Sequence, residues 1–215
     1  MRRYLLAVVV VFALAAPAGA SAQEPILFVH GFSGAAWNWD VMIDRFEADG
    51  YPSGHLRAMS YNSSQSNART AWEVAQEAAE LRAATGAASV DVVTHSMGGL
   101  SSRHWLKDLG GTAVVDDWVS IGGPNHGTWT ALACGVLPSC QEMVPGSSFL
   151  RALNSGDETP GAVSYRTFWS PCDEIINPDS SVLLSGATNV RTGCIGHISM
   201  LASSSIYAGV RGFVR

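Results

Sequence analysis

Residues 90–99 read Val-Asp-Val-Val-Thr-His-Ser-Met-Gly-Gly. A β-branched run stops at a serine and passes at once into two glycines. Glycine is a poor helix former, so propensity alone does not place two of them where a helix begins. A strand that turns sharply at Ser96 and enters a helix through Gly98 does explain them. In such an elbow the serine hydroxyl stands free above a sheet, and the residues two before and two after it must be small because neighbouring backbone passes close by. The N–H of Met97 then points into the same space and is placed to receive a developing oxyanion. The chemistry implied is nucleophilic attack on a carbonyl carbon. Thr94 stands where the pattern has its first glycine, so the elbow requires a gap that takes its side chain. The plainer alternative is a strand followed by a glycine-started helix, which leaves both glycines unexplained.

A serine hydroxyl alone is a weak nucleophile; it needs a base, and the base needs an acid that orients it. For a serine on such an elbow the chain order is serine, then Asp or Glu, then His. His104 lies along the helix that starts at the elbow and cannot fold back. His126, in Gly-Gly-Pro-Asn-His-Gly-Thr, reads as a structural or rim histidine. His197, in Gly-Cys-Ile-Gly-His-Ile, follows the last expected strand and is the candidate base. The acid must lie between. Asp173, in Ser-Pro-Cys-Asp just beyond the fifth expected strand, is favoured; Glu174 is its direct competitor, and Asp179 reads as the start of a helix. A second oxyanion donor is expected from the loop after the first strand, His30-Gly31-Phe32-Ser33-Gly34, where the N–H of Phe32 faces the site.

These residues need a scaffold that brings distant loops together. Strands are expected at 25–31, 55–61, 89–94, 114–121, 162–169 and 189–192. Helices are expected at 37–49, 67–85, 99–109 and 199–213. The alternation predicts an α/β fold: a mostly parallel sheet of about six strands flanked by helices on both faces, with its chemistry at the carboxyl ends of the strands. Residues 122–160 interrupt the rhythm. Rich in Gly, Pro, Ser and Thr, they read as a long excursion carrying a short helix near 147–154. Trp37, Trp129, Leu132, Val136, Leu137 and Met143 are apolar candidates for a groove wall or for ordinary packing.

The chain begins with Arg2 and Arg3, an apolar run over 5–16, and Ala20-Ser21-Ala22. This is the pattern of a signal peptide over 1–22, which leaves 23–215 as a single catalytic domain and predicts an extracellular protein. The run is short for a membrane span, and none approaches that length afterwards. Without Arg2 and Arg3 the basic side chains fall from 13 to 11 against 18 acidic ones, a formal charge of −7. Lys107 is the only lysine, and nucleic acid is excluded as a partner. In an oxidising compartment the four cysteines predict two disulfides, with spacing that favours Cys134–Cys140 and Cys172–Cys194. No cysteine–histidine cluster suggests a metal, and no cofactor is expected. The second bridge would tie the residue before the candidate acid to a loop three residues short of the candidate base.

Taken together, HGFSG at 30–34, THSMGG at 94–99, the aspartate of SPCDEIINP and the histidine of GHISML resemble the small secreted bacterial lipases of the α/β-hydrolase superfamily. The likeness is to the compact Bacillus-type, class 2-like lipases, whose serine motif begins with alanine. It covers most of the chain after 22 but fades over 122–160, which is longer here and carries a cysteine pair. The resemblance implies a Ser96–Asp173–His197 triad and an oxyanion hole from the Phe32 and Met97 N–H groups. It implies little or no lid, no cofactor, and an ester or lipid substrate met at a lipid–water interface by a monomer. The expected activity is that of a triacylglycerol lipase. A short-chain esterase, a polyester hydrolase or an acyltransferase would use the same triad, whereas a non-catalytic binding module would lack a member of it.

Overall fold

Ile26–Val29 is a strand of four residues with no exposed face. Ile26 and Phe28 pack into one apolar cluster and Leu27 and Val29 into another, on opposite sides of the sheet. That alternation follows from the two-residue period of a strand, and it fixes the architecture as helix, sheet, helix. A computed structural model describes residues 23–214; the leader expected over 1–22 lies outside the described residues. Along the chain run β1 (Ile26–Val29), α1 (Asp40–Ala48), β2 (Leu56–Ala58), α2 (Asn67–Thr85), β3 (Val90–His95), α3 (Gly98–Asp108), β4 (Val115–Ile121), α4 (Pro138–Met143), α5 (Ser148–Leu153), β5 (Ser164–Trp169), β6 (Thr188–Arg191) and α6 (Ser204–Arg211). The sheet order is β2-β1-β3-β4-β5-β6. The sequence suggests a mostly parallel sheet; every pairing in it is parallel.

One face carries α2 and α3, with Val74, Ala78, Leu81, Trp105 and Trp118 in its core. The other carries α1 and α6, with Trp39, Met42, Phe46, Ile206 and Val210. The helix α2 keeps the bounds its sequence suggests because both ends are marked. Ser66 Oγ accepts the Arg69 N–H, and Gly86 ends the helix in the left-handed region at φ 71°; both are standard terminators. Two expected helices are divided instead. The stretch expected as a helix at 37–49 starts as a tight 3-10 turn, Ala36–Trp39, where the Asn38 side chain accepts the Ala35 N–H. The one expected at 199–213 is split by Ser203, whose extended backbone and hydroxyl cap α6. The helix α4 was not expected from the sequence.

The excursion at 122–160 has a core of its own. Ala131, Cys140, Met143, Leu150 and Leu153 pack on Met97 and Leu100, the first and fourth residues after the serine. The bond Cys134–Cys140 closes within it, and Cys172–Cys194 joins the loops after β5 and β6. A bridge of that span contributes about 3 kcal/mol by limiting the unfolded chain. No helix among the described residues is long and apolar enough to cross a membrane.

Candidate active site

The order of the sheet reverses between β1 and β3, since β2 lies outward of β1 on one side and the rest of the chain builds on the other. A crevice forms at such a point beyond the carboxyl ends of the strands. Ser96 sits in it, directly after β3, with φ at 53°. That left-handed backbone is costly for any residue but glycine, and the surroundings impose it. The Ser96 N–H donates to Ile121 O on β4 at 2.9 Å, while Ser96 O accepts the Gly99 N–H. Thr94 is fully buried and donates from Oγ1 to Val119 O at 2.9 Å, so its hydroxyl is satisfied in the gap the elbow requires.

Gly98 explains itself by distance. A Cβ there would lie 2.5 Å from Val29 O and 2.6 Å from His30 O, both backbone atoms. Gly98→Ala is therefore expected to destabilise the fold by about 1–3 kcal/mol, the cost of overpacking against atoms that cannot rotate away. The substitution should also lower activity, because the displaced carbonyls carry the chain into Phe32; thermal melting and turnover check both. Gly31 is constrained in the same way, with a Cβ meeting Ser96 Cβ at 2.7 Å.

The loops after β5 and β6 bring Asp173 and His197 together. His197 Nδ1–H donates to Asp173 Oδ2 at 2.8 Å, with side chains only 3% and 1% exposed. That hydrogen bond leaves Nε2 as the free ring nitrogen. Burial pushes the Asp173 carboxyl up, but the hydrogen bond and charge of His197, with the Ile176 and Ile175 N–H groups, hold it below the ordinary carboxylate value. Both N–H groups reach Asp173 Oδ1 at 2.9 Å. Backbone floors the pair: a Cβ on Gly122 would come within 3.2 Å of the imidazole and 3.3 Å of Asp173 Oδ2. Ser96 and His197 border one cavity; among the described residues no hydrogen bond joins the hydroxyl to the ring. Such contacts tighten when substrate is bound.

Sequence patterns did not reveal what holds His197. Glu174, the competitor for the acid, accepts the backbone N–H of His197 through Oε2 at 3.0 Å. His95, the neighbour of the serine, donates from Nε2 to His197 O at 3.1 Å, its ring 4.6 Å from that of His197. Burial lowers the His95 pKa to about 3, so it stands neutral with its proton on Nε2. His197 is thus gripped at its ring, its N–H and its C=O. The residues next to Ser96 and Asp173 supply two of the three grips. Glu174→Ala is expected to lower kcat about 10- to 100-fold by loosening the ring's placement. Glu174→Gln, which keeps an acceptor oxygen, should recover most of it, and parallel kcat measurements on the two variants decide the point. The other candidates lie elsewhere. His126 pairs with Glu158 at 2.8 Å, His104 with Asp108 at 2.7 Å, and Asp179 opens a 3-10 turn.

The N–H groups of Phe32 and Met97 make no backbone hydrogen bond among the described residues. Both belong to the residues that turn away from β1 and β3 at the crevice. Two cavities meet here, of about 380 Å³ and about 340 Å³. Trp37 lines the first and Met143 the second. Leu137 packs against the core of the excursion, while Trp129, Leu132 and Val136 are exposed.

An all-parallel sheet covered on both faces, with a strained serine after its third strand and an Asp–His pair from its last loops, defines an α/β-hydrolase. The sequence model of the class 2 lipases matches residues 23–192, and the chain belongs to that family. The fold is shared with the mature lipase BlEst2 of Bacillus licheniformis, at 17% identity over 92% of this chain and 94% of that one, with a TM-score of 0.78. It is shared with lipase B of Aspergillus fumigatus, at 21% identity and a TM-score of 0.75, over 88% of this chain and 52% of that one. A Listeria innocua protein matches at 15% identity over 90% and 94%, with a TM-score of 0.67. The protein is a hydrolase of the lipase and esterase type.

Proposed function

We propose that this chain is a secreted triacylglycerol lipase that works through an acyl-enzyme on Ser96. The observation that carries the reading is the buried 2.8 Å bond between His197 and Asp173 on the border of the cavity that holds Ser96. With Nδ1 committed to Asp173, His197 Nε2 takes the Ser96 proton as Oγ attacks the ester carbonyl. The Phe32 and Met97 N–H groups receive the oxyanion, and the helix α3, which begins at Gly98, adds its positive end. His197 returns the proton to the leaving alcohol. Water then attacks the acyl-enzyme with His197 again as base, and Ser96 is restored. The chain's own residues complete this cycle.

Exposed apolar side chains surround the cavities. Trp37 and Ile198 line the first, and Trp129, Leu132 and Val136 are exposed on the excursion that supplies part of the wall of the second. This favours substrate met at a lipid surface over a soluble ester. Export is supported by the leader-like residues 1–22 and by the two disulfides. The test compares p-nitrophenyl esters from acetate to palmitate with emulsified triacylglycerol. Turnover of long chains and emulsion supports a lipase; turnover confined to short esters makes the chain an esterase instead.

A further inference from the structure

The grip of Glu174 on His197 needs an acceptor oxygen and nothing more. Oε2 accepts the His197 N–H at 3.0 Å, and a neutral amide oxygen would serve that bond as well. The negative charge has no part in it. Glu174 is exposed and lines the cavity of about 380 Å³ that holds Ser96 and His197. Among the described residues no Lys or Arg lines that cavity, and none pairs with the carboxylate. Its place is set by bare backbone: a Cβ on Gly196 would lie 3.1 Å from Oε2 and 3.5 Å from Oε1. The other ionisable groups nearby bring no opposing charge. His95 stands neutral, and Asp173 is buried against His197 and does not line the cavity. Phe32 and Trp37 add aromatic side chains to the same wall.

We propose that Glu174 sets a charge preference at this site: esters that carry a cationic group, such as a quaternary ammonium, are favoured over neutral ones, and esters that carry an anionic group are rejected. The inference rests on the hydrolase reading above. A carboxylate in a recess with mostly apolar walls acts on a ligand charge through a medium less polarisable than water, and its field is focused there. Aromatic rings add a second attraction for a cation and none for an anion. The chain after residue 22 has more acidic than basic side chains, which adds a weaker pull of the same sign that salt screens. A triacylglycerol carries no charge and meets neither effect. The preference applies to whichever arm of the ester enters the cavity that Glu174 lines.

The test uses two substrate series at fixed pH. One is a set of butyrate esters whose alcohol ends in a trimethylammonium, a tert-butyl or a sulfonate group. The other is a set of ethyl esters whose acyl chain ends in the same three groups. Each result is a ratio of kcat/KM values within one protein, so a change in the placement of His197 cancels. Glu174→Gln keeps an acceptor for the His197 N–H and removes the charge. In at least one series it is expected to lower the cationic-to-neutral ratio by at least about fivefold, the effect of one unit charge at about 5 Å in a medium between protein and water. The anionic-to-neutral ratio should rise in the same series. Salt at about 0.5 M should shrink the cationic preference of the unaltered protein and leave that of Glu174→Gln unchanged. Ile198→Lys adds a cation to the same wall at an exposed position and leaves Glu174 in place. It should lower the cationic-to-neutral ratio too, and it decides the question if melting shows Glu174→Gln to be unfolded. A smaller change in both series overturns the inference. So does an equal fall for all three end groups, which would assign the charge to support of the His197 imidazolium. So does a salt effect that survives in Glu174→Gln, which would assign the preference to the acidic chain as a whole. Loss of Ser96-dependent turnover of the neutral esters in the unaltered protein overturns the hydrolase reading instead, and the inference with it.

Discussion

Ser96→Ala is expected to lower kcat for ester hydrolysis by a factor on the order of 10⁴ to 10⁶, leaving only what binding and the oxyanion donors supply. The fold should not change. The Ser96 backbone is held from outside, by its N–H on Ile121 O and its carbonyl on the Gly99 N–H, and neither contact uses the hydroxyl. Circular dichroism and melting temperature should therefore match the unaltered protein, while turnover of p-nitrophenyl butyrate falls to near background. Residual turnover within tenfold of the unaltered protein would assign the nucleophile elsewhere.

The second large effect is expected from Asp173→Asn, at about 10⁴-fold in kcat. The reasoning is one of proton placement. Asp173 Oδ1 already accepts two backbone N–H groups, from Ile175 and Ile176. An asparagine must keep its oxygen there, because an amide NH₂ cannot face two donors. Its NH₂ is then turned toward His197 Nδ1, which must accept in place of donating. The ring proton moves to Nε2, the nitrogen that has to take the proton from Ser96, and the base is lost with every heavy atom in place. Melting should change little, and a kcat within tenfold of the unaltered protein would show that Asp173 does not set the tautomer.

These residues were legible in the sequence because each carries a local mark. Ser96 is announced by the strand before it and the glycines after it. His197 and Asp173 are announced by following strands in the right chain order. The helix α2 was legible from the helical spacing of Ala71, Val74, Ala75, Ala78 and Leu81 and from its terminal glycine. The grips of Glu174 and His95 on the backbone of His197 were not, because a contact from side chain to distant backbone leaves no periodicity and no spacing. For the same reason Glu174 could be seen only as a rival to Asp173, when the fold gives the two adjacent carboxylates different parts of one histidine. The helix α4 escaped where α5, of equal length, did not, because α5 opens on the capping Ser147 whereas α4 opens on Leu137, which has no side-chain cap; the split of the last helix turned on Ser203, whose capping role depends on the backbone around it.

The all-parallel sheet bears on how the chain reaches this structure. Ile26 pairs with Leu56 and with Asp91, and no strand meets its partner through a hairpin. Every ladder must therefore wait for a long loop to close, and that entropic cost comes before any pairing can offset it; chains of this kind fold slowly. The strand β1, apolar on both faces, is the first to be made and remains without its neighbours until β2 and β3 follow, which makes it the segment most open to association between chains during folding. Once assembled, β3 holds β1 on one side and β4 on the other. The serine turn thus belongs to a unit that opens only when the centre of the sheet comes apart, and its strained backbone is protected by the most cooperative part of the molecule.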